Sequence, residues 1–173
     1  MATVNTTAKT SQASMMERGM AGQRLPLRIG ALSGFAGSLG IIAIVTVLLV
    51  VNNVELFAAP RLIASVMLGT DTAGAFPIFL GTVVHLITGT ALGALFAAVM
   101  PPIYRVIWIV AGMIYGILAA LFSMFVVLPL FVPNIMAAQA SIGLLIIGHV
   151  VYGFVLGTLG GTYGLYWGPR NNS

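Results

Sequence analysis

The chain has 173 residues, of which 60% are hydrophobic and only 6% are charged, and its formal net charge is +4. A water-soluble domain carries about a quarter charged residues to cover its surface, so this composition excludes a soluble fold and indicates a lipid-exposed one. The seven basic residues are too dispersed to form a nucleic-acid surface, and the lack of cysteine excludes disulfides and thiolate metal sites.

The N-terminal segment, residues 1–25, is polar and rich in small residues. It lacks the apolar stretch of about 7–15 residues that a secretory signal carries behind its first positive charges. We therefore expect a flexible cytoplasmic tail. A single transmembrane domain should follow over residues 26–173.

Four later segments are long and apolar enough to cross a bilayer. A spanning helix needs roughly 20 apolar residues, because each advances about 1.5 Å through a core about 30 Å thick. Uninterrupted apolar runs of this length predict helices rather than barrel strands. The four segments contain no Lys, Arg, Asp or Glu, and they cover residues 29–51, 76–100, 106–131 and 140–166.

The connections between the spans also carry signals. Residues 60–69 begin with proline, which suits the first turn of a helix, so a short helix is expected at the outer interface. The short loop "MPPIYR" predicts that the second and third spans are antiparallel neighbours.

The basic residues predict the orientation of the chain. Six of the seven lie before the first span, between the second and third spans, or after the fourth, and only Arg61 lies on the other side. Cytoplasmic loops carry an excess of Lys and Arg, so both termini should be cytoplasmic in the inner membrane of a bacterium. Aromatic residues at the inner ends of the last two spans, Trp108 among them, are expected at the membrane interface.

The order of motifs in the first half recurs in the second. "GALSGFAGSL" at residues 30–39 matches "GMIYGILAAL" at 112–121, and "HLITGTALGAL" at 85–95 matches "HVVYGFVLGTL" at 149–159. Both copies would enter the membrane from the same side. The predicted fold is thus an all-α integral membrane protein, a four-transmembrane-helix bundle built from two tandem, duplicated helical hairpins in parallel.

Glycines spaced four residues apart mark the faces on which we expect helices to pack, because close backbone contact drives helix association in lipid. Such a face can also form a slot for a flat ligand or for the helix of a partner. The helix-packing candidates are Gly30, Gly34, Gly89, Gly93, Gly112, Gly116, Gly153, Gly157 and Gly161.

Two histidines share these faces, since His85 and His149 each precede their glycines at i+4 and i+8. Both rings are therefore predicted to point into the bundle, where a polar group needs a partner. One hypothesis is a neutral imidazole bonded to a hydroxyl or a backbone carbonyl. The alternative is cofactor binding through axial ligation of a b-type haem or a (bacterio)chlorophyll, with glycine leaving room for the macrocycle. The candidate hydroxyl partners are Thr82, Thr88, Tyr115 and Tyr152.

The spans hold no carboxylate, so they offer no buried acid–base pair, and the chain has no nucleophile motif, phosphate loop or complete metal site. We therefore expect no catalysis. The predicted function is that of an accessory or structural subunit, which packs through its glycine-rich faces against other membrane subunits or itself. Two alternatives stay open: a haem- or chlorophyll-binding protein that uses His85 and His149, and a small-solute facilitator or pore.

Overall fold

The computed structural model describes residues 27–69, 71–100, 104–131 and 142–167, with side chains up to residue 162 in the last range. All regular structure within these ranges is helical. The predicted flexible tail, residues 1–25, lies outside them.

Four long apolar helical segments occupy the predicted spans, and the helix ends fall within two residues of the predicted ones. A helix of 25 residues is about 37 Å long at 1.5 Å per residue, which exceeds a hydrocarbon core of about 30 Å. These segments are compatible with a multi-pass membrane protein. In chain order the helices are α1 (Leu27–Val51), α2 (Ala58–Leu68), α3 (Ala75–Val99), α4 (Arg105–Phe122), α5 (Leu128–Phe131) and α6 (Ile142–Trp167).

The third span departs from the single regular helix that its composition predicts. A π-helical turn over Ser123–Val127 separates α4 from α5, and the Leu128 N–H donates to the Ser123 carbonyl five residues earlier. Pro129 has no N–H, and in a regular α-helix its ring would clash with the carbonyl of Phe125. We attribute the wider turn to this proline.

The short helix α2 begins earlier and ends earlier than predicted. Pro60 is its third residue instead of its first, which still keeps the proline within the first turn. Gly69 ends the helix with a φ of +68°, the left-handed region that favours glycine, and its N–H donates to the Ser65 carbonyl at 2.9 Å.

Two contacts fasten α2 in place. Arg61 Nε donates to Glu55 Oε1 at 2.9 Å, and its guanidinium also donates to the Thr72 carbonyl, so one side chain joins the segments before and after the helix. Against α3, the backbone of Pro60 approaches Gly81 so closely that a Cβ there would lie 2.7 Å from the Pro60 carbonyl carbon. The connection is therefore an ordered element.

The helices α1 and α6 are central to the bundle. α1 packs against both α3 and α6, and α4 packs mainly against α6. The predicted neighbours α3 and α4 meet through aromatic side chains: the Phe96 centroid lies 5.4 Å from that of Trp108, edge to face, and 5.1 Å from that of Tyr115. Rings this large hold the two backbones apart. The buried core consists of Ile41, Phe96, Ala97, Trp108, Tyr152 and Leu156.

Glycines bring the backbones of two helix pairs into contact. Where α1 crosses α3, a Cβ on Gly34 would lie 2.8 Å from the Gly93 Cα. Where α4 crosses α6, a Cβ on Gly112 would lie 3.1 Å from the Gly157 Cα. Of the other candidate positions, Gly30 and Gly89 lie in the first crossing, Gly116 and Gly153 in the second, and Gly161 against Trp108.

The two crossings differ in register from the sequence match. The sequence motifs align Gly30 with Gly112. In the structure, however, the residue that makes the contacts equivalent to those of Gly112 is Gly34, one turn further along α1. A Cβ on Gly93 would meet the Gly30 carbonyl, and a Cβ on Gly157 would meet the Trp108 carbonyl. A tryptophan in the second half thus takes the place of a glycine in the first, and the tandem duplication stays a prediction.

Trp108 lies in the first turn of α4, and its side chain is buried in the bundle, at 1% exposure, instead of facing outward as expected of an interfacial aromatic residue. Its indole packs over Gly160, where a Cβ would lie 2.8 Å from the ring. The pair Gly160–Gly161 therefore opens the space that lets a large aromatic residue join the core.

Candidate functional site: a polar cluster between three helices

Four polar side chains meet inside the otherwise apolar bundle. α1 contributes Ser38, α3 contributes His85, and α6 contributes His149 and Tyr152; we call these four the polar cluster. Ser38 is 0% exposed and Tyr152 is 2% exposed, while both histidines are half-buried. Hydrophobic helices seldom bury polar groups without a partner, since an unpaired one costs free energy in an apolar medium.

Gly89 of α3 leaves the space that the two hydroxyl groups occupy. A Cβ at this position would lie 3.1 Å from the Ser38 Cβ and 3.4 Å from the Tyr152 ring. The Tyr152 hydroxyl donates to the Gly89 carbonyl at 2.6 Å, which ties α6 to α3. The Ser38 hydroxyl donates to the Gly34 carbonyl at 3.0 Å within α1. Both hydroxyl groups of the cluster are therefore bonded to backbone.

The two histidines have different surroundings. His149 Nδ1 lies 2.8 Å from the Leu145 carbonyl oxygen, and since a carbonyl only accepts, Nδ1 carries the proton. The His85 ring interacts with the backbone of Ser38, but its Nε2 is buried and has no hydrogen-bond partner within the described residues. Both rings are half-buried among the helices, which agrees with the predicted inward direction of the two side chains.

Three of the four predicted hydroxyl partners donate to backbone carbonyls instead of to the histidines, and the fourth, Thr88, is exposed. The Thr82 hydroxyl donates to the Ile78 carbonyl at 2.8 Å, the contact that a helical threonine makes most readily, four residues back. The Tyr115 hydroxyl donates to the Leu92 carbonyl at 3.0 Å and so joins α4 to α3. Tyr152 likewise donates to a carbonyl, so the expected bonds from these hydroxyls to imidazole are replaced by backbone bonds.

The arrangement does not fit a tetrapyrrole between His85 and His149. A macrocycle ligated by either ring would need the space beside the glycine one turn away, and next to His85 that space holds Ser38 and Tyr152 against Gly89. On the other side of α6, a Cβ at Gly148 would already lie 3.1–3.2 Å from side chains of α1. The helices meet too closely at this level to admit a flat ring.

Metal binding by several side chains also lacks a basis in the described part of the chain, which brings together no group of three or more His, Cys, Asp or Glu residues. Two imidazoles alone fall short of the three protein ligands of a catalytic zinc site. The chemistry of the polar cluster is hydrogen bonding to the backbone, within α1 and α6 for Ser38 and His149 and between α6 and α3 for Tyr152.

Sequence reasoning overlooked Ser38 as a member of the site. The signal was present in the spacing, because Ser38 continues the series Gly30 and Gly34 at intervals of four. A small residue at that third position lets α1 run close to α3 over three consecutive turns.

A second feature lies on the apolar exterior, where α1 and α3 form an open groove of about 390 Å³. Its one hydroxyl, on Thr90, donates to the Leu86 carbonyl at 2.6 Å, so the groove presents an apolar surface. The lining residues are Ala31, Phe35, Leu86, Ile87, Thr90, Ala91 and Ala94.

Comparison of the chain with protein families, with curated proteins and with solved structures finds no match in any of the three. Any function must therefore be argued from the helices, the polar cluster and the groove themselves.

Proposed function

We propose that the chain is a non-catalytic accessory subunit of a larger membrane protein complex. The observation that carries this proposal is the use made of its polar groups: the hydroxyls of Ser38, Tyr115 and Tyr152 and the Nδ1 of His149 all bond to backbone carbonyls of the bundle. The two tyrosine bonds join neighbouring helices and stabilise their packing, whereas the Ser38 and His149 bonds satisfy the side chains within α1 and α6. These polar groups present no catalytic pair and no polar pathway for a solute.

The surface for a partner differs from the one expected from the glycines. Those residues contact one another within the chain, so a partner helix must dock elsewhere. We assign it to the groove between α1 and α3, where Ala31, Ala91 and Ala94 would let another backbone approach closely. The occupant we propose is a transmembrane helix of another subunit, with Phe35 and Ile87 beside it.

The proposal includes a location and an origin for the bundle. The distribution of basic residues supports the inner membrane of a bacterium with both termini in the cytoplasm. The recurring motifs support descent from a duplicated hairpin, although the contacts of the two halves are offset by one turn.

The test is the mass and composition of the particle purified from its native membrane in mild detergent. We expect this chain with a second polypeptide at a fixed ratio. Ala91→Phe should fill the groove and release that polypeptide. Val110→Phe, a similar enlargement on the exposed face of α4, should retain it.

Two results would contradict the proposal. A particle with the mass of one copy of this chain would exclude the accessory role. A particle with the mass of several copies of this chain and no other polypeptide would indicate self-assembly instead. For the groove itself, retention of the second polypeptide by Ala91→Phe would show that the groove is not the contact surface.

A further inference from the structure

A cavity at the start of α3 differs from the bundle interior because a carboxylate, that of Asp71, is among its lining groups. It measures about 210 Å³ and lies where the end of α2 meets the start of α3. The cavity lies beside Ala75, the first residue of α3, so a bilayer spanned by α3 would place it where the hydrocarbon core gives way to lipid headgroups. It is lined by Leu68, Asp71, Ala73, Phe76 and Pro77.

The charge at this site is negative and uncompensated. The connection between α1 and α3 carries two carboxylates and one cation, and that cation, Arg61, is bonded to Glu55 and to the Thr72 carbonyl. Asp71 makes no ion pair with any residue that the structure describes. The cavity therefore attracts a positively charged group and repels an anion.

The remaining walls add to this selectivity. Phe76 is 64% exposed, so its ring is accessible to a cation, which aromatic faces attract. Leu68, Ala73 and Pro77 offer apolar contact to any hydrocarbon attached to that cation. The volume is below the roughly 300 Å³ at which pockets hold drug-sized ligands, so the occupant is a small group. One carboxylate is also far from the six to eight oxygen ligands of calcium.

We propose that this cavity binds the ammonium headgroup of a phospholipid such as phosphatidylethanolamine, with Asp71 as the ion partner. The lipid source follows from position, since the cavity lies at headgroup depth and combines one carboxylate with apolar walls. This site does not depend on the accessory role, and it is on a different part of the molecule from the groove.

The experiment measures lipids retained by the intact chain, using native mass spectrometry with phosphatidylethanolamine, phosphatidylcholine and phosphatidylglycerol added separately. Retention should be strongest for phosphatidylethanolamine and weakest for the anionic lipid. Asp71→Asn should lower the retention of phosphatidylethanolamine about fivefold, the upper range for one exposed ion pair. Asp71→Glu keeps the charge and should retain most of the binding, and thermal unfolding of both variants checks that the fold is intact.

Competition by a soluble headgroup distinguishes binding of a lipid from binding of a free amine. Glycerophosphoethanolamine at millimolar concentration should compete weakly, because it has no acyl chains for the apolar walls. Equal retention of the three lipids, unchanged retention in Asp71→Asn, or full competition by the soluble headgroup would each overturn the proposal.

Discussion

At the scale of the residue, Tyr152 connects three helices with one side chain. It belongs to α6, its ring occupies the space left by Gly37 of α1, and its hydroxyl bonds to the Gly89 carbonyl of α3. A Cβ at Gly37 would lie 2.8 Å from the ring. The phenol thus combines apolar packing with a directed bond between helices.

Removing only the hydroxyl isolates that bond. Tyr152→Phe should lower the free energy of unfolding by about 1 kcal/mol, because interhelical hydrogen bonds in membranes are modest. Reversible unfolding in mixed micelles measures this, with Tyr115→Phe as a comparison at a less buried position. If the Tyr152→Phe variant unfolds like the wild type, the bond contributes nothing to stability.

The two histidines should respond differently to an apolar replacement. His85→Leu removes the interaction of the ring with the Ser38 backbone, but it also removes a buried Nε2 that has no partner in the described chain, so the two effects should largely cancel and leave the stability nearly unchanged. His149→Leu removes a bond to the Leu145 carbonyl and should lower the stability by up to about 1 kcal/mol. The same unfolding assay applies. A clear loss of stability in His85→Leu would mean that the interaction with the Ser38 backbone outweighs the cost of the unpaired Nε2.

At the scale of the element, the helix crossings depend on glycine for space. Gly93→Ala would put a Cβ 2.6 Å from the Gly34 Cα, and backbone cannot move aside as a side chain can. We expect a loss of about 1–3 kcal/mol, as for other overpacked sites. Gly143→Ala is the matched control, because no atom lies within 4 Å of its added Cβ. Equal stabilities for the two variants would show that the crossing can relax.

The sequence predicts the spans well because length and apolarity are properties of each segment alone. The crossing of α1 with α3 is less predictable, since the spacing alone does not show that Gly93 packs against both Gly30 and Gly34. Within the polar cluster, the spacing places the histidines on the packing face. Their partners depend on distances of a few tenths of an ångström, which no periodicity contains. The π-helical turn before Pro129 could have been anticipated from that proline.

At the scale of the whole molecule, the predicted orientation in a bilayer depends on the charged residues outside the four long helices. With six basic residues expected on one side and Arg61 on the other, a reporter fused after Ser173 should be active in the cytoplasm. A reporter that requires export serves as the complementary measurement. If only the exported reporter were active, either the predicted orientation or the predicted even number of spans would be wrong.

The packing of α4 mainly on α6 has a consequence for biosynthesis. The ribosome must add 36 residues between Phe131 and Trp167 before α6 is complete, which takes about 2–7 seconds at 5–20 residues per second. During that interval Gly112 and Gly116 lack the helix against which they pack in the complete chain. A chain terminated before α6 would keep them exposed permanently, so we expect such fragments to be degraded faster than the full chain.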